Sequence, residues 1–276
     1  VILKIMMDSL IILGLAMVIT GSIAGILAGL FGIGGGIIIV PVLEIVLGLI
    51  GIDSSIRMHV SVATSLAIII PTSVSSALKH HQHQAIDFKI IKNWAPFILF
   101  GALFGTWIAS KVHGHTLAII FAFMSLLVSI KMIFFKETHN LSDKVPLNPI
   151  MSIVPTSIGF LSSMMGIGGG TFSVMTLTLF NQPVHRAIGT ASLLGLFISL
   201  AGAIGYVIAG WNDPRIPEMN LGYISLIGFA LISPMTVLTA PVGVRIAYIF
   251  SEAKLSKLFG LLLILMALRL FYGTLS

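Results

Sequence analysis
The sequence predicts an all-α integral membrane protein: about ten hydrophobic segments in two five-segment repeats, inverted by preference, with helices broken at glycine motifs. Three observations lead there. Of 276 residues, 57% are hydrophobic and only 9% charged, and the mean hydropathy is +1.10. Apolar runs of spanning length recur along the chain, and one glycine-rich motif occurs twice. A soluble domain carries about 25% charged residues. With so few charges to cover its surface, this chain needs the bilayer as solvent.

Apolar runs and polar breaks place the first five segments near 8–30, 36–50, 59–78, 93–111 and 115–135. The next five lie near 148–165, 170–182, 185–210, 220–248 and 253–273. The first follows Lys4 and passes the small-x-small triplet Ser22-Ile23-Ala24 without a polar break, so it reads as a span and not as a cleaved leader. Segments 2 and 7 each follow a glycine run and hold about 15 residues, roughly 22 Å of helix against a core of about 30 Å. Segment 3 gives way to a Lys-bearing loop with His80, His81 and His83. Segment 5 closes on Lys131 and segment 10 on Arg269, both read as interfacial anchors. The polar stretch 211–219, with Asp213 and Glu218, separates segments 8 and 9.

The segments repeat. Gly32-Ile33-Gly34-Gly35-Gly36 matches Gly166-Ile167-Gly168-Gly169-Gly170 at an offset of 134, and His59 with Ala63-Thr64-Ser65 matches His185 with Gly189-Thr190-Ala191 at 126. Gly105 and Lys131 match Gly243 and Arg269 at 138. Residues 1–140 and 141–276 are therefore read as two repeats of one membrane domain. If all ten segments cross with the N-terminus outside, ten Lys and Arg fall inside and five outside. That bias follows the positive-inside rule and makes the repeats inverted. If segments 2 and 7 are re-entrant, the repeats run parallel.

Other classes are excluded by composition. There is no cysteine, hence no disulfide or thiolate metal site. The net charge of +6 comes from loop residues between apolar spans, so no nucleic-acid stripe exists. No catalytic or Walker signature is present, and no cofactor or metal is expected.

The glycine breaks carry the candidate chemistry. Interrupted helices at matched positions of two repeats mark a transporter's binding site. Glycine lets backbone N–H groups approach a ligand, and a helix N-terminus offers unpaired N–H groups to an anion. Gly34, Gly35 and Gly36 with Gly168, Gly169 and Gly170 are the expected cradle, helped by the hydroxyls of Thr64, Ser65, Thr190 and Ser192. Close helix packing is the competing reading for the glycines, and backbone bonding within helices for the hydroxyls. His59 and His185 are candidates for proton coupling or anion attraction, against a headgroup-level location. Glu44 and Arg245 lie within spans, where charge is costly: Glu44 takes up a proton or pairs with a base, and Arg245 faces a cavity or reaches to the interface.

Leu30-Phe31-Gly32-Ile33-Gly34-Gly35-Gly36, then Pro41, then Val62-Ala63-Thr64-Ser65-Leu66, resemble the TauE/SafE family of sulfite exporters. Met165-Gly166-Ile167-Gly168-Gly169-Gly170 and Gly189-Thr190-Ala191-Ser192 have the same look. The resemblance spans nearly the whole chain and implies a prokaryotic inner-membrane permease for sulfite, sulfonates or related organosulfur anions. Export by alternating access is expected, with an anion channel or a small-carboxylate permease as alternatives. The expected partners are a small anion and membrane lipid, with a coupling proton or ion and a second copy, as a homodimer, as further candidates. Met175 and Thr178 stand where the first copy has Pro41 and Glu44, so no role shared by both copies rests on those positions.

Overall fold
The computed structural model describes residues 2–134, 152–249 and 252–275. The expected boundary at 140, with Lys136 and Lys144, lies outside them. Among the described residues the chain forms α1 (Ile2–Phe31), α2 (Gly36–Leu49), α3 (Ser54–Gln82), α4 (Phe88–Lys111), α5 (Gly114–Phe134), α6 (Ile153–Met165), α7 (Gly170–Leu179), α8 (Val184–Gly210), α9 (Leu226–Ala247) and α10 (Glu252–Leu275). A two-stranded hairpin, β1 (Asn220–Leu221) and β2 (Ile224–Ser225), precedes α9. The ninth segment therefore starts later than its apolar run suggests: Met219 and Gly222 take positive φ and turn residues 220–225 into a hairpin. Segment 3 is longer than expected at both ends. It places His80 and His81 in its last turn, and not in the loop.

Among the described residues, four stretches are long and apolar enough to cross a bilayer: Ile12–Phe31, Ser54–Gln82, Val184–Gly210 and Leu226–Ala247. The outer faces are apolar. On α1, Ile12, Leu15, Ile19 and Ile23 recur at helical spacing and are exposed, as a lipid-facing stripe should be. No Asp, Glu, Lys or Arg is buried among the described residues, so the interior polarity is carried by Ser, Thr and His.

The principal helix pairs are α1 with α9, α4 with α6, α3 with α8, and α5 with α10. Each maps onto itself or onto another when α1–α5 are exchanged for α6–α10. Directions follow from which residues meet. Gly21, Gly25 and Gly29 face Ile232, Thr236 and Ala240, so α1 and α9 are parallel. Gly101 and Gly105 face Thr156 and Phe160, so α4 and α6 are parallel. Thr72 meets Thr236 and His80 meets Tyr248, so α3 runs with α9. By contrast Gly202 faces Leu66, while Ser192 meets Ser76, which makes α3 and α8 antiparallel. The two halves are therefore inverted, and α2 and α7 each carry the chain back across. Re-entrant segments would have left α3 and α8 parallel.

Proline inside these helices removes N–H donors, and side chains make good the loss. Pro241 frees the carbonyl of Val237, and Ser75 Oγ donates to it at 2.9 Å.

Candidate functional site: two glycine breaks that cross
Helix α1 stops because Gly32, Gly34 and Gly35 take φ of 68°, 73° and 80°, a left-handed region closed to most side chains. Gly166 and Gly169 repeat the turn at 67° and 70°. Gly35 and Gly169 are the N-caps of α2 and α7. The two breaks touch reciprocally. A methyl on Gly36 would strike the Gly166 carbonyl oxygen, and one on Gly170 would strike that of Gly32. Ser65 Oγ fixes the crossing by donating to Gly166 O at 2.8 Å. Ile69 of α3 lies against both Gly34 and Gly168, while its matched residue Gly195 lets α8 approach Gly168 O. All six expected cradle glycines thus come together, buried, at the meeting of the halves.

The expected hydroxyls are buried beside this crossing but are spoken for. Thr64 Oγ1 accepts from Ser225 N at 2.9 Å, and Thr190 Oγ1 accepts from Asp87 N at 2.9 Å. Asp87 and Ser225 are the N-caps of α4 and α9, so each threonine holds the start of a helix in the other half. Ser192 Oγ donates to Ile188 O at 2.9 Å and lies 3.3 Å from Ser76 Oγ.

Three hydroxyls that the sequence reading does not single out are different. Ser162, Thr171 and Ser173 are 0%, 6% and 0% exposed, and their side-chain oxygens have no hydrogen-bond partner. An orphaned buried hydroxyl costs about 1–3 kcal/mol. All three surround the second break, and at the 134 offset their first-half counterparts are Ala28, Ile37 and Ile39. The available signal was this exchange of polar for apolar residues between copies.

The histidines cap helices. His59 Nε2 lies 3.1 and 2.9 Å from Ala109 O and Val112 O at the end of α4, and His185 Nε2 lies 3.1 Å from Ala247 O at the end of α9. His80 Nε2 likewise lies 3.2 Å from Gly29 O, in the last turn of α1. A ring N–H at a helix C-terminus satisfies carbonyls that have no i+4 donor. His59 stacks on Tyr223 at 5.3 Å and His185 on Tyr248 at 4.8 Å, at opposite ends of the bundle. Neither ring reaches the glycine crossing.

Charges sit at the periphery. Glu44 pairs with Arg57 at 3.4 Å, and Arg57 also donates to Ile52 O at 3.1 Å. Arg245 is exposed in the last turn of α9. Beyond α8, Arg215 clamps Asp213 at 2.6 Å, and Tyr223 Oη donates to the same carboxylate at 2.7 Å. The Arg215 hydrogen bond holds the Asp213 carboxyl well below its ordinary range, and burial with the Asp213 bond pushes Tyr223 up to about 12. No group of three or more metal-ligating side chains gathers among the described residues.

The family model described as sulfite exporter TauE/SafE matches residues 17–270. A "probable membrane transporter protein" of Haemophilus influenzae is 32% identical over 92% of this chain and 96% of its own length. Proteins of the same description from Methanocaldococcus jannaschii and Bacillus subtilis are 28% and 25% identical, over 83% and 70% of this chain and 85% and 78% of theirs. No solved structure matches.

Proposed function
The chain belongs to the TauE/SafE family and is an integral membrane transporter; from that premise we propose that it carries a small oxyanion, sulfite or a sulfonate, by alternating access at the glycine crossing. One observation carries this reading: two helix N-termini, α2 and α7, begin at the same buried place, where neutral donors and no fixed cation await the ligand. N–H and O–H groups at positive helix ends attract an oxyanion. Without a buried Lys or Arg to trap it, the ion can leave again. The crossing is closed by backbone contact between the breaks and by Ile69, which favours a gated carrier over an open channel. The work proposed is export across a prokaryotic inner membrane, with the Lys-rich end of α3 on the cytoplasmic side. A coupling proton or ion and a homodimer belong to the same proposal.

The test is thermal stability of the detergent-purified protein against sulfite, sulfate, thiosulfate, sulfonates and small carboxylates at fixed ionic strength. A ligand that binds only the folded state raises Tm by RT ln(1 + [L]/Kd), about 2.7 kcal/mol at a hundredfold excess over Kd. Stabilisation by a sulfur oxyanion or sulfonate is the expected result. Stabilisation by carboxylates alone would replace the substrate class, and the absence of any shift would count against a carrier with a built anion site.

A further inference from the structure
The two breaks share a turn but not a lining. At the first, a Cβ on the α2 cap Gly35 would meet the Ala24 carbonyl oxygen at 2.7 Å and its carbon at 3.1 Å, so the backbone of α1 seals that helix start. At the second, the three atoms nearest the same probe on the α7 cap Gly169 all belong to side chains. The probe meets the tip of the Ile198 side chain and, at 3.4 Å, Ser162 Oγ. A methyl tip turns aside by rotamer change, whereas a helix backbone does not.

Hydrogen bonding divides the same way. Ser162 Oγ sits beside Gly169 without a partner. Ser173 stands one turn into α7, its N–H bonded to Gly169 O at 2.8 Å, and its hydroxyl has no partner either. Both residues are wholly buried. Thr171, also unpartnered, is the second residue of α7. In the first half, Ala28, Ile37 and Ile39 fill the matched places with hydrocarbon and are equally buried. Packing therefore does not require hydroxyls there, since one copy of the fold does without them.

Resting on the carrier reading above, we infer that the substrate oxyanion is held asymmetrically, on the first turn of α7 by the hydroxyls of Ser162 and Ser173, with Ile198 as its movable cover. The first break then acts as a scaffold. It positions the second through the Gly36–Gly166 and Gly170–Gly32 contacts, and supplies no donor side chain of its own. The ligand class is a small oxyanion, because donors without a counter-charge suit oxygen atoms carrying delocalised negative charge. On this account rotation of the Ile198 side chain uncovers the α7 half-site on one side, one of the two openings that alternating access requires.

The test uses full-length protein with sodium sulfite and sodium methanesulfonate as probes, and measures both Kd by thermal-shift titration and the Tm of the ligand-free protein. Ser162→Ala and Ser173→Ala are each expected to weaken binding at least about tenfold, the scale of a hydrogen bond to an ion. They should leave the ligand-free Tm unchanged or raised, because each removes an orphaned polar atom; a structural serine would lower it. Ser163→Ala, whose hydroxyl is bound to Phe160 O, should leave Kd unchanged. Unaltered affinity in both Ser162→Ala and Ser173→Ala, with the unaltered protein binding normally, overturns the asymmetric site and leaves the carrier reading standing. Failure of the unaltered protein to bind any anion overturns both.

Discussion

Adding one methyl where the breaks cross should break the molecule in a measurable way. In Gly36→Ala the new Cβ strikes the Gly166 carbonyl oxygen and lies 3.0 Å from Ser65 Oγ and 3.1 Å from Ile167 Cα. In Gly170→Ala it strikes the Gly32 carbonyl oxygen and the Ile33 Cα. The obstructing atoms are mostly backbone, and each break is pinned by left-handed glycines, so the loops must separate. Overpacking of this kind costs about 1–3 kcal/mol, and more at the upper end where backbone must move. Alanine's helix preference over glycine returns about 0.5–1 kcal/mol. The net loss is about 2 kcal/mol for each variant, a factor on the order of 30 in the folding equilibrium. Because both methyls push the same two loops apart, the double variant should lose less than the sum. Gly14→Ala is the control: nothing lies within 4 Å of its Cβ, so only the helix gain remains. The assay is reversible unfolding in mixed micelles, with sulfite flux measured in parallel. If Gly36→Ala and Gly170→Ala unfold like Gly14→Ala, the crossing described here is wrong.

Other expectations follow from single contacts. Thr64→Val and Thr190→Val each strand a backbone N–H at the N-cap of α9 or α4, and should cost about 1–3 kcal/mol apiece in the same unfolding assay. Arg57→Ala leaves Glu44 half-buried without its partner and should lower Tm, with Glu44→Gln in the same background restoring part of the loss; no recovery would mean that the pair does not matter. The Asp213–Arg215–Tyr223 clamp predicts a stability plateau bounded on both sides. Asp213 has a depressed pKa, so its contribution is complete above the ordinary carboxylate range and is lost as pH falls through and below it. Tyr223 has a raised pKa, so its contribution is complete below about 10, the ordinary tyrosine value, and is lost as pH rises through about 12. Tm profiles of the unaltered protein and of Asp213→Asn check this: the variant should lose the acid limb, and an unchanged limb would remove the clamp from the account.

Much of the fold was legible because it is written in residues with few alternatives. Glycine at 32, 34, 35, 166 and 169 is dictated by backbone conformation, and its recurrence exposed both the duplication and the crossing. The inversion came from charge bias, a weak signal, and became firm only when Gly202 met Leu66 and Ser192 met Ser76. The hairpin before α9 was hidden in an apolar run, because Tyr223 and Ile224 read the same in a strand as in a helix.

The candidate site was half legible. Attention to residues shared by the copies led to Thr64, Thr190, His59 and His185, and these matched residues turn out to be matched fasteners. They hold helix ends whose positions, Asp87, Ser225, Ala109 and Ala247, cannot be paired with them by spacing alone. Ser162, Thr171 and Ser173 escaped because they differ between copies, and serine within an apolar helix usually bonds its own backbone. Whether a given serine does so is a matter of rotamer and neighbours, which sequence does not hold. Arg57 as the partner of Glu44 is similar: their separation of 13 residues spans a turn whose geometry folding alone decides.

The most direct test of the central claim is counterflow of radiolabelled sulfite in proteoliposomes of the purified protein. A carrier that binds one oxyanion at a closed crossing predicts saturable uptake, accelerated by unlabelled sulfite inside and weakened by Ser162→Ala and Ser173→Ala. Flux that rises linearly with concentration and ignores internal sulfite would contradict it.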